Sequence, residues 1–140
     1  RFMNILLVDD DETLMQFMTQ AVQARGNGVT YTALSAEEAL SQVVLRDYHL
    51  ITLDIKMPGA SGLDILPLMR NMCPHAVIAI ISGHIPEETI ENMAGCADVV
   101  MDKPISLEKF FDLVDAATQI AANLDRVREM GRAFASVRES

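Results

Sequence analysis

Cysteine is scarce in this chain of 140 residues, with only Cys73 and Cys96. Two thiols make no disulfide framework, and both are expected as small buried or half-buried apolar side chains in a reducing cytoplasm. Long hydrophobic runs are missing too. Half of the residues are hydrophobic, yet no run approaches the roughly 18 residues that a membrane span needs. No basic stretch followed by an apolar run and a small-residue cleavage site marks the chain for export, so a cytoplasmic protein without membrane contact is expected. Basic charge is also low: 11 Lys and Arg against 20 Asp and Glu give a formal net charge of -9. Phosphate backbones attract basic surfaces, so this balance argues against direct nucleic-acid binding and for proteins or a cation as partners. Glycine- or serine-rich linkers and short-period repeats are absent. No G-x-G-x-x-G follows the first apolar run, which argues against a dinucleotide site.

What is present is an alternation of two periods. Met3 to Val8 is a continuous apolar run, too short for a helix, and reads as a buried strand. Leu14, Phe17, Met18, Ala21 and Val22 then recur at helical spacing, with Gly26 and Gly28 punctuating the end. Val29 to Ala33 is a second strand. Ser35 and Glu38 form an S-x-x-E capping box that opens a helix to about Arg46. Leu50 to Leu53 is a third strand, and the turn Met57-Pro58-Gly59 leads to a helix from about Leu63 to Met72. Pro67 lies inside that helix, where it removes a backbone bond and bends the axis. Ala76 to Ile81 is the fourth strand, Pro86 starts a helix to about Ala94, and Val99 to Met101 is the fifth strand. A last helix begins after Ser106. Strands alternating with helices through short loops imply an α/β fold with a parallel sheet covered on both faces. Right-handed crossovers leave the flavodoxin-like order 2-1-3-4-5 as the natural topology.

In such a sheet the C-terminal ends of all strands share one edge, and ligands bind there at the switch in strand order. Asp9 and Asp10 end strand one, Asp54 ends strand three, Ser82 ends strand four and Lys103 follows strand five, so the fold would gather all five. Clustered carboxylates repel one another, which raises their pKa values or calls for a cation. Mg²⁺ suits one or two carboxylates, waters and a phosphate oxygen. Asp54 is then a carboxylate nucleophile toward phosphorus, with Lys103 and the ion offsetting charge and the Ser82 hydroxyl bonding a phosphoryl oxygen.

These residues carry a resemblance. Ile5-Leu6-Leu7-Val8-Asp9-Asp10-Asp11, Asp54-Ile55-Lys56-Met57-Pro58 with Gly62, Ser82-Gly83 and Lys103-Pro104 resemble, in this order and at these strand ends, the receiver domain of bacterial two-component response regulators. The similarity spans residues 3 to about 120, and it implies a chemotaxis-receiver-like (βα)5 fold. It further implies that Asp54 accepts a phosphoryl group from a sensor histidine kinase, a phosphotransfer protein or a small phosphodonor. By the same resemblance, Asp10, Asp54 and the Lys56 backbone carbonyl coordinate Mg²⁺, Asp9 holds a metal-bound water, and the Lys103-Pro104 bond is cis. The chain would be a signalling domain rather than an enzyme, with only self-phosphorylation and autodephosphorylation chemistry at Asp54.

The chain also departs from the family pattern. Val100 stands three residues before the lysine, where an aromatic is usual, so a rotating ring cannot report the state of Ser82. Gly83 replaces a common alanine, which should leave the site more open, and Ser61 stands where the turn often has Asp, affecting local capping. Lys56, two residues after the nucleophile, is placed to alter phosphoryl lifetime.

Each feature has a bland alternative. The Asp9-Asp10-Asp11 run could cap the first helix, Asp54 and Ser82-Gly83 could be turn residues, and Lys103 could be a solvated loop cation. His49, His75 and His84 lack metal-ligand spacing and read as surface or strand-end residues, although His84 lies close enough to the site to modulate it.

Phe110, Leu113, Ala117, Ile120, Leu124, Val127, Gly131 and Phe134 alternate spacings of three and four, the pattern of a coiled-coil seam, with Met130 and Val137 as competing apolar positions. A long C-terminal helix with parallel homodimerisation beyond about Ile120 is expected, and a linker stub is the alternative. The receiver is therefore placed at residues 3–120, and residues 121–140 are read as a helical extension or a linker to an output domain. Two other classes compete. One is a haloacid-dehalogenase-like phosphohydrolase, which needs a second Asp where this chain has Lys56. The other is a pseudo-receiver used only for dimerisation.

Overall fold

A computed structural model describes residues 2–131 apart from His84. Five parallel strands, β1 (Met3–Val8), β2 (Gly28–Ala33), β3 (Leu50–Leu53), β4 (Val77–Ser82) and β5 (Val99–Asp102), stand in the order β2-β1-β3-β4-β5. Between them run α1 (Glu12–Arg25), α2 (Ala36–Leu45), α3 (Gly62–Met72) and α4 (Glu87–Met93), and α5 (Leu107–Glu129) follows the last strand. This is the flavodoxin-like α/β topology expected from the alternating periods.

The two-residue period of the strands builds two cores. Along β1, Leu6 and Val8 face the helices α2 and α3, together with Met93 of α4. Ile5 and Leu7 face the opposite side, where Met15, Met18, Ala21 and Val22 of α1 meet Phe110, Leu113, Val114, Ala117 and Ala121 of α5. The same alternation divides β4, with Ile78 and Ile80 on the first side and Val77, Ala79 and Ile81 on the second. Both faces are covered, which is why β1, β3 and β4 are apolar apart from Asn4, Thr52 and Ser82.

Helix ends follow local chemistry, with some differences from expectation. Gly26 closes α1 at φ +75, and its N–H donates to the Val22 carbonyl. Gly28 does not end the helix. It opens β2, where a side chain would press on Val22 and Ile5. At α2, Ser35 accepts from the Glu38 N–H as expected, but the Glu38 carboxylate accepts from the Leu34 N–H, one residue earlier than a capping box requires. The reciprocal box occurs at α3, where Ser61 caps the helix and the Asp64 carboxylate accepts from the Ser61 N–H. Pro67 is accommodated within α3. Tertiary pairing also extends the strands: β4 reaches Ser82 and β5 reaches Asp102, because these two residues pair with each other.

α5 spans 23 residues, about 34 Å of helix. Its first half is pinned over the sheet by Phe110, Leu113, Val114 and Ala117, and Ala121 is the last residue it buries. Val127 and Met130 are 61% and 77% exposed. The expected seam position Phe134 and the competing position Val137 lie outside the described residues. Among those described, no helix is long and apolar enough to cross a membrane.

Candidate functional site

The strand order reverses between β1 and β3, and the carboxylates sit at the C-terminal ends of these two strands. The backbone continues the ladder just past β1 and β3: the Asp9 N–H donates to the Ala33 carbonyl at 3.0 Å and the Asp54 N–H to the Val8 carbonyl at 2.9 Å. Both side chains are therefore fixed by the sheet rather than by a free loop. Asp9, Asp10 and Asp54 each place a carboxylate oxygen within 4.8 Å of the others. Asp9 and Asp54 are buried and Asp10 is exposed, so the group forms a shallow acidic niche.

Hydroxyl and ammonium groups complete it. Ser82, 1% exposed, donates from Oγ to Asp54 Oδ1 at 2.8 Å. Lys103 Nζ lies 2.7 Å from Asp9 Oδ2 and 3.6 Å from Asp54 Oδ2, so the ammonium bridges the two carboxylates but sits closer to Asp9. β4 and β5 hold Ser82 and Lys103 side by side, since the Lys103 N–H donates to the Ser82 carbonyl at 2.7 Å. The Lys103-Pro104 bond is cis, as the resemblance implied.

Burial and charge act in opposite directions here. Burial raises the Asp9 pKa; the hydrogen bonds from Lys103 and the Asp11 N–H pull it down, the Asp54 charge pushes it up, and burial prevails. Burial would likewise lower the Lys103 pKa, but the Asp9 hydrogen bond and the charges of Asp9, Asp54 and Asp11 outweigh it and hold the ammonium above its ordinary value. One ion pair thus stabilises the lysine charge and leaves its carboxylate partner strained. An acid in that position gains from a second cation.

The acidic run of the first loop divides its labour. Asp11 is the N-cap of α1, accepting from the Leu14 N–H at 3.1 Å, so the bland capping reading holds for that residue. Asp9 Oδ1 accepts from the Asp11 N–H at 2.9 Å, which orients the buried carboxylate while the helix cap holds the turn. Lys56 is exposed in the loop between β3 and α3. Val100 is half-buried, pairs with Ile80 and packs against the core on the α2/α3 side, so its aliphatic side chain fills the position as a packing residue. A Cβ on Gly83 would meet nothing within 4 Å, so the absence of a side chain there relieves no crowding. His84 lies outside the described residues.

His49, His75 and the two cysteines stay apart from this chemistry. His49 Nδ1 accepts from the Asn4 N–H at 2.9 Å at the opposite edge of the sheet, and His75 is exposed. Cys73 is buried and Cys96 half-buried, both as free thiols. Burial pushes the Cys73 thiol pKa up, as suits an inert packing residue.

The role of Gly62 was not legible beforehand. A Cβ there would stand 2.2 Å from the Asp54 carbonyl oxygen, so any side chain would force α3 away from the end of β3. The Gly62 N–H and the Ser61 hydroxyl both donate to the Ile55 carbonyl, at 3.0 and 3.1 Å, and tie the helix start to the loop that leaves Asp54. The available signal was a glycine in the first turn of a helix, a position that ordinarily disfavours it.

Residues 5–115 match the response regulator receiver domain family. The chain is 31% identical over 118 residues to the cell cycle transcriptional regulator CtrA of Caulobacter vibrioides, a match covering 84% of this chain and 51% of CtrA. It is 30% identical over 128 residues to the transcriptional regulatory protein FixJ of Azorhizobium caulinodans, covering 90% of this chain and 57% of FixJ. The chain therefore spans about half the length of the curated relatives it matches. Among solved structures, a CheY-like response regulator receiver domain protein from Methanospirillum hungatei aligns with a TM-score of 0.76 at 24% identity, over 94% of this chain and 100% of that one. With the topology and the family match in agreement, the chain belongs to the response regulator receiver domains, the signalling domains of two-component systems.

Proposed function

We propose that this receiver domain is a phosphorylation switch in which Asp54 accepts a phosphoryl group from a sensor histidine kinase or phosphotransfer protein. The observation that carries the reading is the set of contacts on one carboxylate, with the Ser82 hydroxyl 2.8 Å from one Asp54 oxygen and the Lys103 ammonium 3.6 Å from the other. In the transfer, the phosphorus–nitrogen bond of a phosphohistidine breaks as a phosphorus–oxygen bond forms at Asp54. The imidazole leaves with the bonding pair and takes up a proton. Ser82 turns its hydroxyl from the carboxylate to a phosphoryl oxygen, and Lys103 holds its ammonium against the charge that gathers there.

The donor set fits Mg²⁺, since three carboxylate oxygens, all hard donors, lie within 4.8 Å of one another. Asp10, Asp54 and the Lys56 backbone carbonyl would hold the ion, with Asp9 supporting from the outer sphere; when bound, Mg²⁺ offsets negative charge on the transferring group. The chemistry is confined to self-phosphorylation and autodephosphorylation at Asp54, in a cytoplasmic setting without direct nucleic-acid contact. Residues 3–120 form the switch, and residues 121–140 serve as a helical extension or as a linker to an output domain. The exposed apolar residues of the distal half of α5 provide the surface for a homodimer.

Incubation with acetyl phosphate and Mg²⁺ followed by intact-mass measurement tests the proposal. Wild-type protein gains the mass of one phosphoryl group and Asp54→Ala gains none. Absence of the gain in wild type, or its persistence in Asp54→Ala, defeats the reading. Continuous turnover of a phosphate monoester that is abolished by Asp54→Asn would point to a phosphohydrolase instead.

A further inference from the structure

β2 is an edge of the sheet: among the described residues only β1 lies beside it. The ladder fixes which of its backbone groups stay open. The Met3 N–H donates to the Asn27 carbonyl and the Asp9 N–H to the Ala33 carbonyl, and Met3 stands opposite Gly28. In a parallel pair, alternate residues turn both N–H and C=O toward the neighbouring strand. Val29, Tyr31 and Ala33 therefore face β1, whereas Gly28, Thr30 and Thr32 turn theirs outward. Sheet edges are ordinarily guarded by lysine, proline or a bulge. Gly28–Ala33 has neither residue, carries no charge and pairs with β1 without a break, and Val29 is 43% exposed.

A groove runs along this edge, and its chemistry matches the strand. Gln16, Thr19, Gln20 and Gln23 of α1 line it together with Thr30 and Thr32. The one charge in the lining is Glu12, at the end where α1 begins and β2 gives way to Leu34. Arg25, partly exposed beside Asp115, stands at the opposite end of α1. The whole chain carries a net charge of -9, so two copies repel over most of their surface and meet with least repulsion along an uncharged strip. An antiparallel approach also turns each Glu12 toward the partner's Arg25, whereas a parallel one would set Glu12 against the partner's Glu12.

We propose that β2 pairs antiparallel with β2 of a second copy, with Thr30 on the two-fold axis. This contact is separate from the distal surface of α5 and does not depend on phosphorylation of Asp54. In this register every outward residue meets another outward residue along the whole strand: Thr30 exchanges its N–H and C=O with the partner's Thr30, and Gly28 with the partner's Thr32. Val29 then lies across from the partner's Tyr31 on the other face, a β-branched and aromatic pair of the kind that supports strand association. On the groove side the two threonines face one another, and the amide and hydroxyl side chains of α1 flank the joined strands. The same patch serves both copies, so the contact closes on itself as a dimer. Its area is small, which makes it reversible and confines it to high concentration.

Residue-resolved amide exchange by NMR on the full chain, at about 50 μM and about 1 mM, reads the pairing. The Gly28, Thr30 and Thr32 amides should slow about threefold or more at the higher concentration, while Val29, Tyr31 and Ala33, already bonded to β1, change little. Concentration-independent exchange at the outward amides overturns the proposal, and slow exchange there at both concentrations would mean that another segment of the same chain covers the edge. Thr30→Pro removes an outward N–H and no ladder bond, so it should fold and lose the added protection at Gly28 and Thr32; protection that persists overturns the register. If Thr30→Pro does not fold, Thr30→Cys takes its place. Under a mild copper oxidant it should form a disulfide between the two copies of position 30, identified by peptide mass, in about fivefold higher yield than Thr32→Cys gives at position 32. Thr32 is the more exposed of the two, so random collision predicts the reverse order, and equal or reversed yields overturn the pairing. Adding Val127→Asp, which strikes the proposed α5 surface, should leave the cross-link at position 30 intact; its loss would make the contact a by-product of the α5 dimer and overturn it as a separate one.

Discussion

α4 and α5 lie on opposite faces of the sheet and are held by different physics. α5 buries Phe110, Leu113, Val114, Ala117 and Ala121 and begins at Ser106, whose side chain accepts from the Lys109 N–H. α4 has seven residues, buries only Met93 and begins at a proline with no side-chain cap. Packing secures a helix against the sheet along its whole buried stripe, whereas a few directional bonds secure only one end. A signalling domain benefits from having both kinds: an element that keeps its place and one whose position is open to bias.

The comparison breaks most clearly in the cores. Phe110 is fully buried between α5 and the sheet, and Phe110→Ala should lower unfolding free energy by about 3–5 kcal/mol in denaturant titrations. Ile90 of α4 is 38% exposed, and Ile90→Ala should lower it by about 1 kcal/mol or less. Equal losses would mean that α4 is packed as firmly as α5. The helix starts sharpen the contrast. Ser106→Ala should lose about 1 kcal/mol with the cap bond, and Pro86→Ala, having no such bond to lose, should change stability by under about 0.5 kcal/mol. A loss at Pro86 matching that at Ser106 would show a hidden constraint at the start of α4.

The smallest effect lies between these helices and the site, in the pH dependence of the metal-free domain. The Asp9 pKa is raised in the folded state, so the folded form holds that proton more tightly. The resulting destabilisation is present at neutral pH and is relieved as pH falls through the raised value toward the ordinary carboxylate range. The Asp9→Asn curve should lack this slope, so that the difference between the two stability curves displays it. The Lys103 pKa is raised as well, which contributes stability below the ordinary lysine range that disappears as pH rises through the folded value. Lys103→Met should flatten that alkaline limb. Coincident slopes for wild type and variant would count against the ion pair as drawn.

Much of the fold was readable before any coordinates, for reasons that differ by element. β1 is bounded at Met3–Val8 as its apolar run implies, because in a strand covered on both faces every residue but Asn4 is apolar and buried. The ends of β4 and β5 were read one residue short, because Ser82 and Asp102 are polar and enter the sheet by pairing with each other. Ser35 caps α2 as expected, but the Glu38 carboxylate takes the Leu34 N–H in place of the Ser35 N–H, and the reciprocal box formed at Ser61. Side-chain reach depends on the path of the chain into the helix, which residue spacing does not specify. Asp9, Asp10, Asp54, Ser82 and Lys103 were chosen from their places after strands, and the parallel sheet does bring them to one edge.

The amino-acid order alone determined the alternation of strand and helix, the parallel sheet and the residue types that meet at its C-terminal edge, since each follows from periodicity and from strand direction. Only the tertiary structure decided that Lys103 sits nearer Asp9 than Asp54, that Gly62 must lack a side chain beside the Asp54 carbonyl, and that Arg70 of α3 bonds to the Cys96 carbonyl and to Asp98 beyond α4. These are distances between residues remote in the chain. They are set by how packed elements approach one another, and no local pattern encodes that approach.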